Sequence, residues 1–242
     1  MHPGVGEGVA GAVNRDIALH AATMPVHEFL PAAKANQKAV STMSGDEAAA
    51  YLPAYEQALA AVAGELDVFI GHHANLSAVA THRVAERHDK PYVLFLHGTG
   101  IEPRHHGGYA DLIWESIEAA IRHAAGVLVT TEYVRDELVR PLIDLPEERF
   151  LVLPCGVDLE DFHPDRSAGI REKYDLPETY VLCPGALTRL KGPQNVVEAS
   201  RAHADLAPTI FIGDGDIRGE LERALVERLH HWLEGVVSHQ RT

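Results

Sequence analysis

The chain has 242 residues, 46% hydrophobic and 23% charged, which is the profile of a soluble globular protein with one large domain or two modest ones. Its formal net charge of -14 argues against nucleic-acid binding and disfavours an anionic membrane surface, because both need concentrated lysine and arginine. No apolar run approaches the roughly 18 to 20 residues of a transmembrane helix, and the N-terminus has no signal-peptide pattern; with two cysteines outside any C-x-x-C pair, we expect a cytoplasmic protein.

The first half of the chain alternates between strand and helix patterns. Residues 43–63 predict a helix capped by Ser44 or Asp46. Residues 91–98 form a nearly continuous apolar run, which is typical of a strand buried on both faces. The other predicted strands are 67–73, 125–131 and 149–158, and the other predicted helices are 76–88, 109–124 and 132–143. This alternation predicts an α/β fold with a parallel sheet and helices on both of its faces.

The second half begins with the polar segment 159–178, which we interpret as a connection between two domains. After it come predicted strands at 180–186, 207–215 and 233–238, with helices at 194–204 and 217–232. Three strands and two helices make a thin domain that leaves apolar surface uncovered. At the other end, the glycine-rich stretch GVGEGVAG (4–11) lacks the strand that normally precedes such a turn.

The first candidate site is the stretch VLCPGALTRLKGPQ (181–194), where a strand ends at a glycine turn before a helix. A helix N-terminus at such a turn favours negative charge. Lys191 adds a mobile cation, and Arg189 adds a planar fork that matches phosphate oxygens. These features indicate an anion site, and the alternative is an ordinary solvated loop.

The second candidate is His97, which with Gly98 follows a predicted buried strand. Ligands gather beyond the carboxyl ends of parallel strands, and a histidine there can exchange a proton near neutral pH. The alternative is a histidine bonded to loop backbone. The His-Gly pair also occurs in hydrolase oxyanion loops, but the sequence has no G-x-S-x-G, which disfavours that enzyme class.

The third candidate is the glycine turn IFIGDGDIRGE (210–220), which allows three interpretations. Gly213, Gly215 and Gly219, with Glu234 further on, form a loose dinucleotide fingerprint. Asp214 and Asp216 form a D-x-D that could hold a divalent metal on a diphosphate. The third interpretation, which we favour, is a tight turn that needs glycine for its backbone angles.

Metal binding and cysteine chemistry are both disfavoured by the sequence. Histidine pairs occur at 72–73, 105–106 and 230–231, but no H-E-x-x-H is present and the nearby carboxylates lack ligand spacing, so we expect no metal site. Cys155 has no evident partner base, and we expect it to be a small buried residue.

Taken together, the segments from about residue 65 to 238 resemble the GT4-type retaining glycosyltransferases of GT-B fold. The pieces that carry the resemblance are PYVLFLHGTG, AGVLVTTEYVRDEL, LVLPCGVDLEDFHP, YVLCPGALTRLKGPQNVVEA and TIFIGDGDIRGEL, in the family's order. The most specific of them is LPCGVDLEDFHP, which is similar to the family's interdomain signature with Cys155 in place of the usual asparagine.

The resemblance implies two Rossmann-like domains, 1–158 on the acceptor side and a nucleotide-sugar-binding domain over 179–242, joined by 159–178. It implies that Lys191 binds the diphosphate of a nucleotide-sugar donor together with Gly185. The family's usual arginine position holds Ala186, and we expect Arg189 to supply that charge.

The resemblance also implies that His97 lies near the donor sugar and the reacting centre. Gly213, Asp214 and Gly215 match the family's Gly-Asp-Gly turn, and the family uses no D-x-D metal. The nucleotide-sugar is then a substrate, no cofactor is expected, and the acceptor is an unidentified hydroxyl compound.

The family's E-x7-E element should lie beyond the last residues, and its first strand should precede residue 4. We therefore expect a chain truncated at both ends, with an incomplete C-terminal domain. Two alternatives remain open at this point: a non-catalytic remnant or subunit that binds a partner through an open sheet edge, and a dinucleotide-dependent oxidoreductase using residues 208–234.

Overall fold

The computed structural model describes residues 17, 19, 23–26, 37–163 and 169–226. The chain divides after Cys155 into two compact units. The strands are β1 (Met24–Val26), β2 (Gln37–Ala39), β3 (Phe69–His72), β4 (Tyr92–Leu96), β5 (Gly126–Val129), β6 (Phe150–Val152), β7 (Val181–Pro184) and β8 (Thr209–Ile212). The helices are α1 (Gly45–Ala49), α2 (Leu52–Ala63), α3 (Leu76–Arg87), α4 (Glu102–His105), α5 (Asp111–His123), α6 (Ile170–Lys173), α7 (Pro193–Ser200) and α8 (Arg218–Val226), with a short π-helix at Val134–Val139.

The main sheet of the first unit has four parallel strands in the order β3-β4-β5-β6. Strands β1 and β2 form a separate parallel pair. The strands β3 to β6 each fall within a run that the sequence predicted, whereas β1 and β2 were not predicted. The helices α3 and α5 form as expected, and the helix predicted over 132–143 forms in part, as the π-helix Val134–Val139. The predicted α/β class with parallel sheets is confirmed.

Burial in this sheet alternates along each strand. Tyr92, Leu94 and Leu96 of β4 are buried, whereas Val93 and Phe95 between them are only half-buried. A Cβ on Gly71 of β3 would touch Leu94 of β4 and Thr81 of α3, so the buried face is the one that α3 covers. The expectation that β4 is buried on both faces was wrong, because the described helices cover one face more completely than the other.

The predicted helix over residues 43–63 forms as two helices, α1 and α2. Ser44 caps α1: its hydroxyl accepts from the Glu47 N–H, and the Glu47 carboxylate accepts from the Ser44 N–H. This reciprocal capping box satisfies two N–H groups that a helix start otherwise leaves unpaired. Of the two predicted caps, Ser44 is the one used.

The second unit has a small core. Strands β7 and β8 pair in parallel, and α7 and α8 pack on each other. Its buried cluster consists of Leu187, Val197, Phe211, Ile217 and Leu221. Val181 and Leu182 of β7 and Ile212 of β8 are exposed, so the uncovered apolar surface that the sequence predicted is present in the described part of this unit.

The segment between the two units is exposed throughout residues 153–163. Cys155 belongs to it and is exposed, so the expectation of a small buried residue was wrong. The reason is local: the chain leaves the sheet after Val152, and among the described strands β6 is an edge strand with no neighbour on its outer side. Helix α6 lies inside the predicted connection 159–178, whose bounds stay a prediction.

Several predicted features lie outside the described residues: the glycine-rich stretch 4–11, the strand at 233–238, the histidine pair 230–231 and Glu234. Within the described ranges, no helix combines the length and the apolar character that crossing a bilayer requires.

A pair of histidines lies beside the start of β4. The Tyr92 hydroxyl donates to the Ala120 carbonyl at 2.7 Å and lies 3.0 Å from His82 Nδ1, so that nitrogen donates to the phenol oxygen. His82 stacks on His123, with ring centroids 5.2 Å apart. Desolvation by partial burial lowers the pKa of His82 below its ordinary value.

This arrangement predicts a pH-dependent stability of the first unit. Just below the ordinary imidazole pKa of 6.5, the unfolded chain binds more protons at His82 than the folded chain does. The free energy of unfolding should therefore be largest above pH 6.5, and it should fall as the pH decreases from there to the lowered pKa of the folded state. We expect thermal melts of the wild type to lose more stability on acidification in this range than melts of His82→Gln, which keeps a donor but does not titrate. Equal losses in both proteins would contradict this assignment.

Candidate functional site

The carboxyl edge of the first unit's sheet brings histidines from two strands together. His72, the last residue of β3, pairs in register with Phe95 of β4, and the His73 N–H donates to the Phe95 carbonyl at 3.0 Å. Phe95 lies on the half-buried face of the sheet, and His97 follows it two residues later. The register therefore places His72 and His97 on the same face, since paired residues of parallel strands share a face.

The rings of these residues form a stacked cluster. His97 Nε2 lies 3.0 Å from His72 Nδ1. The His97 ring centroid lies 4.4 Å from that of Phe95 and 4.6 Å from that of His73. His73 has a left-handed backbone with φ of 65°, which is uncommon for a residue with a side chain. We call His72, His73 and His97 the histidine cluster.

Tyr109 holds the loops that carry this cluster. Its side chain is buried, and its hydroxyl lies 3.0 Å from the Gly100 carbonyl in the loop after β4 and 3.2 Å from the Ala74 carbonyl in the loop after β3. A Cβ on Gly100 would lie 2.7 Å from the Ala74 nitrogen, so only glycine permits this close approach. The two loops are thus fixed to each other directly beside the histidines.

Removing the Tyr109 hydroxyl should loosen this junction. We expect Tyr109→Phe to lower the free energy of unfolding by about 1 to 2 kcal/mol, because the two buried carbonyls lose the one hydroxyl proton that they share. Urea denaturation would measure the change. Tyr133→Phe is the matched control, since the Tyr133 side chain is exposed, and it should change stability by less than about 0.5 kcal/mol. Equal effects of the two variants would show that the Tyr109 hydroxyl does not hold the loops.

In the second unit, the loops that follow β7 and β8 are joined backbone to backbone. The Gly185 N–H donates to the Ile212 carbonyl at 2.8 Å, and the Leu187 N–H donates to the Asp214 carbonyl at 2.9 Å. A Cβ on Gly213 would lie 1.9 Å from the Gly185 oxygen. The glycines at this turn are therefore needed for contact between loops, in agreement with the tight-turn interpretation.

The predicted cations lie in a short 3-10 turn, Arg189–Lys191, directly before α7. Gly192 ends the turn with φ of 75° and is the residue directly before α7, which has no side-chain cap at that position. The Gln194 amide donates to the Arg189 carbonyl at 3.1 Å and ties the turn to the helix. Pro193 has no N–H and the Asn195 N–H donates to the Gly192 carbonyl at 3.0 Å, so it is the two cations and the positive end of the helix dipole that attract an anion here.

Arg189 of this turn has an acidic partner on α8. The Arg189 guanidinium donates to the Glu220 carboxylate of α8 at 2.6 Å, and both side chains are largely exposed. An exposed ion pair of this kind contributes only about 0 to 1 kcal/mol, so a stronger anion can displace it. Lys191 is exposed at the end of the turn.

The structure thus positions the predicted site residues in two separate groups. The second unit brings together Gly185, Gly213 and Gly215 at the joined loops and places Arg189 and Lys191 at the start of α7. Asp214 accepts from the Gly215 N–H through its own side chain. Across the described ranges, no group of three or more histidine, cysteine or acidic side chains is arranged to hold a metal ion.

Sequence reasoning missed three contacts: His72 with His97, the Tyr109 junction, and Glu220 with Arg189. A signal existed for the first of them. Both histidines lie at the carboxyl ends of predicted strands that are consecutive in the chain, and such residues meet at one edge of a parallel sheet when the strands are neighbours.

Comparison with known proteins gives a family match over residues 17–161, to the model described as Glycosyltransferase Family 4. TuaC of Bacillus subtilis strain 168, named as a glycosyltransferase of teichuronic acid biosynthesis, is 28% identical over 159 residues. That alignment covers 64% of this chain and 39% of TuaC.

Two solved structures of HepE (Alr3699) from Anabaena share the fold. The one with UDP and glucose has a TM-score of 0.58 at 16% identity and covers 72% of this chain and 48% of HepE. The one with UDP-glucose has a TM-score of 0.57 at 14% identity and covers 79% of this chain and 52% of HepE. The chain therefore spans about two fifths of TuaC and about half of HepE.

Proposed function

Because the chain belongs to Glycosyltransferase Family 4 and has the GT-B fold, we propose that it acts in the transfer of a sugar from a nucleotide-diphosphate donor to an acceptor hydroxyl. We further propose that the transfer retains the anomeric configuration. The nucleotide-sugar is a substrate in this scheme, so the chemistry requires no cofactor from the protein.

The observation that carries the donor assignment is the cationic turn Arg189–Lys191 in front of α7. A nucleotide diphosphate develops negative charge as the bond to the sugar breaks. Preorganised cations and helix N–H groups stabilise such charge without having to reorganise during the reaction. The loop after β7 offers this combination at the carboxyl end of a strand, where ligands of α/β sheets bind.

Each residue of this loop has a separate proposed role. Lys191 binds the diphosphate as a point charge. Arg189 joins it by exchanging the Glu220 carboxylate for a phosphate group, two oxygens of which can accept a bidentate pair from the guanidinium. Gly185 has its N–H bonded to Ile212, so its contribution is space: nothing lies within 4 Å of where its Cβ would be.

In the first unit, we propose that His97 contacts a hydroxyl of the donor sugar. The ring is held against Phe95 and His72, and it lies at the carboxyl edge of the sheet. A fixed imidazole can orient a hydroxyl or stabilise positive charge near the anomeric carbon. HepE, which shares the fold, was solved with UDP-glucose. This supports UDP as the first nucleotide to test as part of the donor.

Isothermal titration calorimetry of this chain with UDP and UMP tests the proposal. We expect UDP to bind at least about 10-fold more tightly than UMP, because only UDP offers the second phosphate to the cationic turn. GDP, ADP and TDP belong in the same series, since the sequence does not identify the base. Failure of every diphosphate to bind, or equal affinities for UDP and UMP, would overturn the donor assignment.

A further inference from the structure

The contact between His72 and His97 determines the state of both rings. Their facing nitrogens, His72 Nδ1 and His97 Nε2, are 3.0 Å apart, which is a hydrogen-bond distance. Two unprotonated nitrogens would repel each other, and two N–H groups would clash. One nitrogen must therefore donate and the other accept, so the pair shares a single proton along this line.

The rest of the cluster limits how the His97 ring can turn. Phe95 stacks on it with an interplanar angle of 25°, and His73 lies against it at 36°. The backbone positions of the neighbours are fixed by the β3–β4 register and by the His73 N–H bond to Phe95. A ring that is stacked and bonded at Nε2 has one orientation, and it presents its Nδ1 edge away from His72.

Metal binding does not explain this arrangement. The His72 and His97 rings are nearly parallel, with an interplanar angle of 20°, and no described cluster of three or more ligand side chains is arranged for a metal. Metal ligands instead point their nitrogens at one common atom. The direct hydrogen bond is the interaction that accounts for the spacing.

We propose that His72 is a positioning residue that fixes the tautomer and ring orientation of His97. This inference rests on the proposed function, in which His97 contacts the donor sugar. A histidine that meets a hydroxyl must present a defined donor or acceptor, and the partner of its second nitrogen decides which of the two it presents. His72 supplies that partner from the adjacent strand.

Nitrogen-15 NMR of histidine-labelled protein tests the proposal without requiring activity. At about pH 8, where an ordinary imidazole is neutral, the wild type should show His97 as a single tautomer. His72→Ala should convert the His97 signals to the tautomer mixture of an unconstrained imidazole. His72→Asn should restore the single tautomer, because its side-chain amide can lie where Nδ1 lies. His106→Ala, at an exposed position, is the matched control and should leave the His97 signals unchanged.

The proposal is overturned if His97 is already a tautomer mixture in the wild type, or if the Ala and Asn variants leave its signals as they are. If the Ala variant does not fold, comparison of His72→Asn and His72→Gln decides, since only asparagine matches the Nδ1 position. The result is separable from that of UDP binding, which depends on residues of the second unit. If no diphosphate binds in calorimetry but the His97 signals still change in the His72 variants, the donor assignment is removed and the positioning role of His72 is kept.

Discussion

Gly213→Ala is expected to destabilise the second unit by on the order of 3 kcal/mol or more. A Cβ at this position would lie 1.9 Å from the Gly185 carbonyl oxygen, well inside any contact that real atoms make. The backbone of Gly213 also has φ of 150°, where residues with side chains are strained. Steric overlap and backbone strain therefore act in the same direction.

The overlap cannot be relieved by a small local movement. Gly185 is fixed to β8 because its N–H donates to the Ile212 carbonyl, one residue before Gly213. The same two loops meet again at Gly215, where a Cβ would lie 2.2 Å from the Leu187 oxygen. Separating the loops would break these hydrogen bonds and expose Leu187, which belongs to the small core of this unit.

Hydrogen exchange would locate the effect. In Gly213→Ala we expect the amides of β7 and β8 to lose protection while those of β3 to β5 keep it. Gly219→Ala is the matched control, because Gly219 lies in α8 and its Cβ would meet only the Arg223 guanidinium at 3.6 Å. Alanine there should stabilise the helix by about 0.5 to 1 kcal/mol. Equal protection of β7 and β8 in the two variants would contradict the steric argument.

Local sequence patterns predicted the elements of this fold well. The apolar runs at 91–98 and 125–131 became β4 and β5, and the helical period at 76–88 became α3. Ser44 was one of two predicted caps. It is the one used, because Glu47 lies three residues later and completes a capping box with it. These features depend on residues close together in sequence, which a single sequence displays directly.

Features that depend on contacts between distant residues were harder to predict. The sequence gives no measure of how completely helices cover each face of a sheet, so the half-buried face of β4 was not foreseen. The pair His72–His73 looked like one of several histidine doublets until the β3–β4 register placed it beside His97. Cys155 was expected to be buried and is exposed. Its exposure depends on where the sheet ends, which the local sequence does not show.

The charge contacts show the same limit in the donor loop. Arg189 and Lys191 were both predicted as anion ligands from their position before a helix. The sequence did not show that Glu220, 31 residues later, would reach Arg189. Many acidic residues could have served as a partner, and only the packing of α8 selects one. Arg189 must therefore give up an existing ion pair before it can bind phosphate.

Lys191 is the residue to which the family resemblance assigns the donor diphosphate, so its replacement tests that assignment directly. We expect Lys191→Ala to weaken UDP binding by about 10- to 100-fold, because a charge-assisted contact to phosphate contributes about 1.5 to 3 kcal/mol. Arg189→Ala should also weaken UDP binding, but by less than the full contribution of a phosphate contact, because the phosphate only replaces the existing contact of Arg189 with Glu220. Both variants remove exposed side chains, so the fold of the second unit should be preserved.

Calorimetry with UDP, repeated at two salt concentrations, would measure these losses. The affinity of the wild type should fall with added salt, and that of Lys191→Ala should fall less, because one cation no longer takes part. Lys173→Ala is the matched control: this lysine also belongs to the second unit, but its ammonium lies over the Tyr174 ring, 4.9 Å from the centroid. If Lys173→Ala lowers the affinity for UDP as much as Lys191→Ala does, UDP binding depends only on the total charge of the unit. If Lys191→Ala leaves the affinity for UDP unchanged, the diphosphate binds elsewhere, because removing a cation that contacts a bound phosphate must weaken its binding.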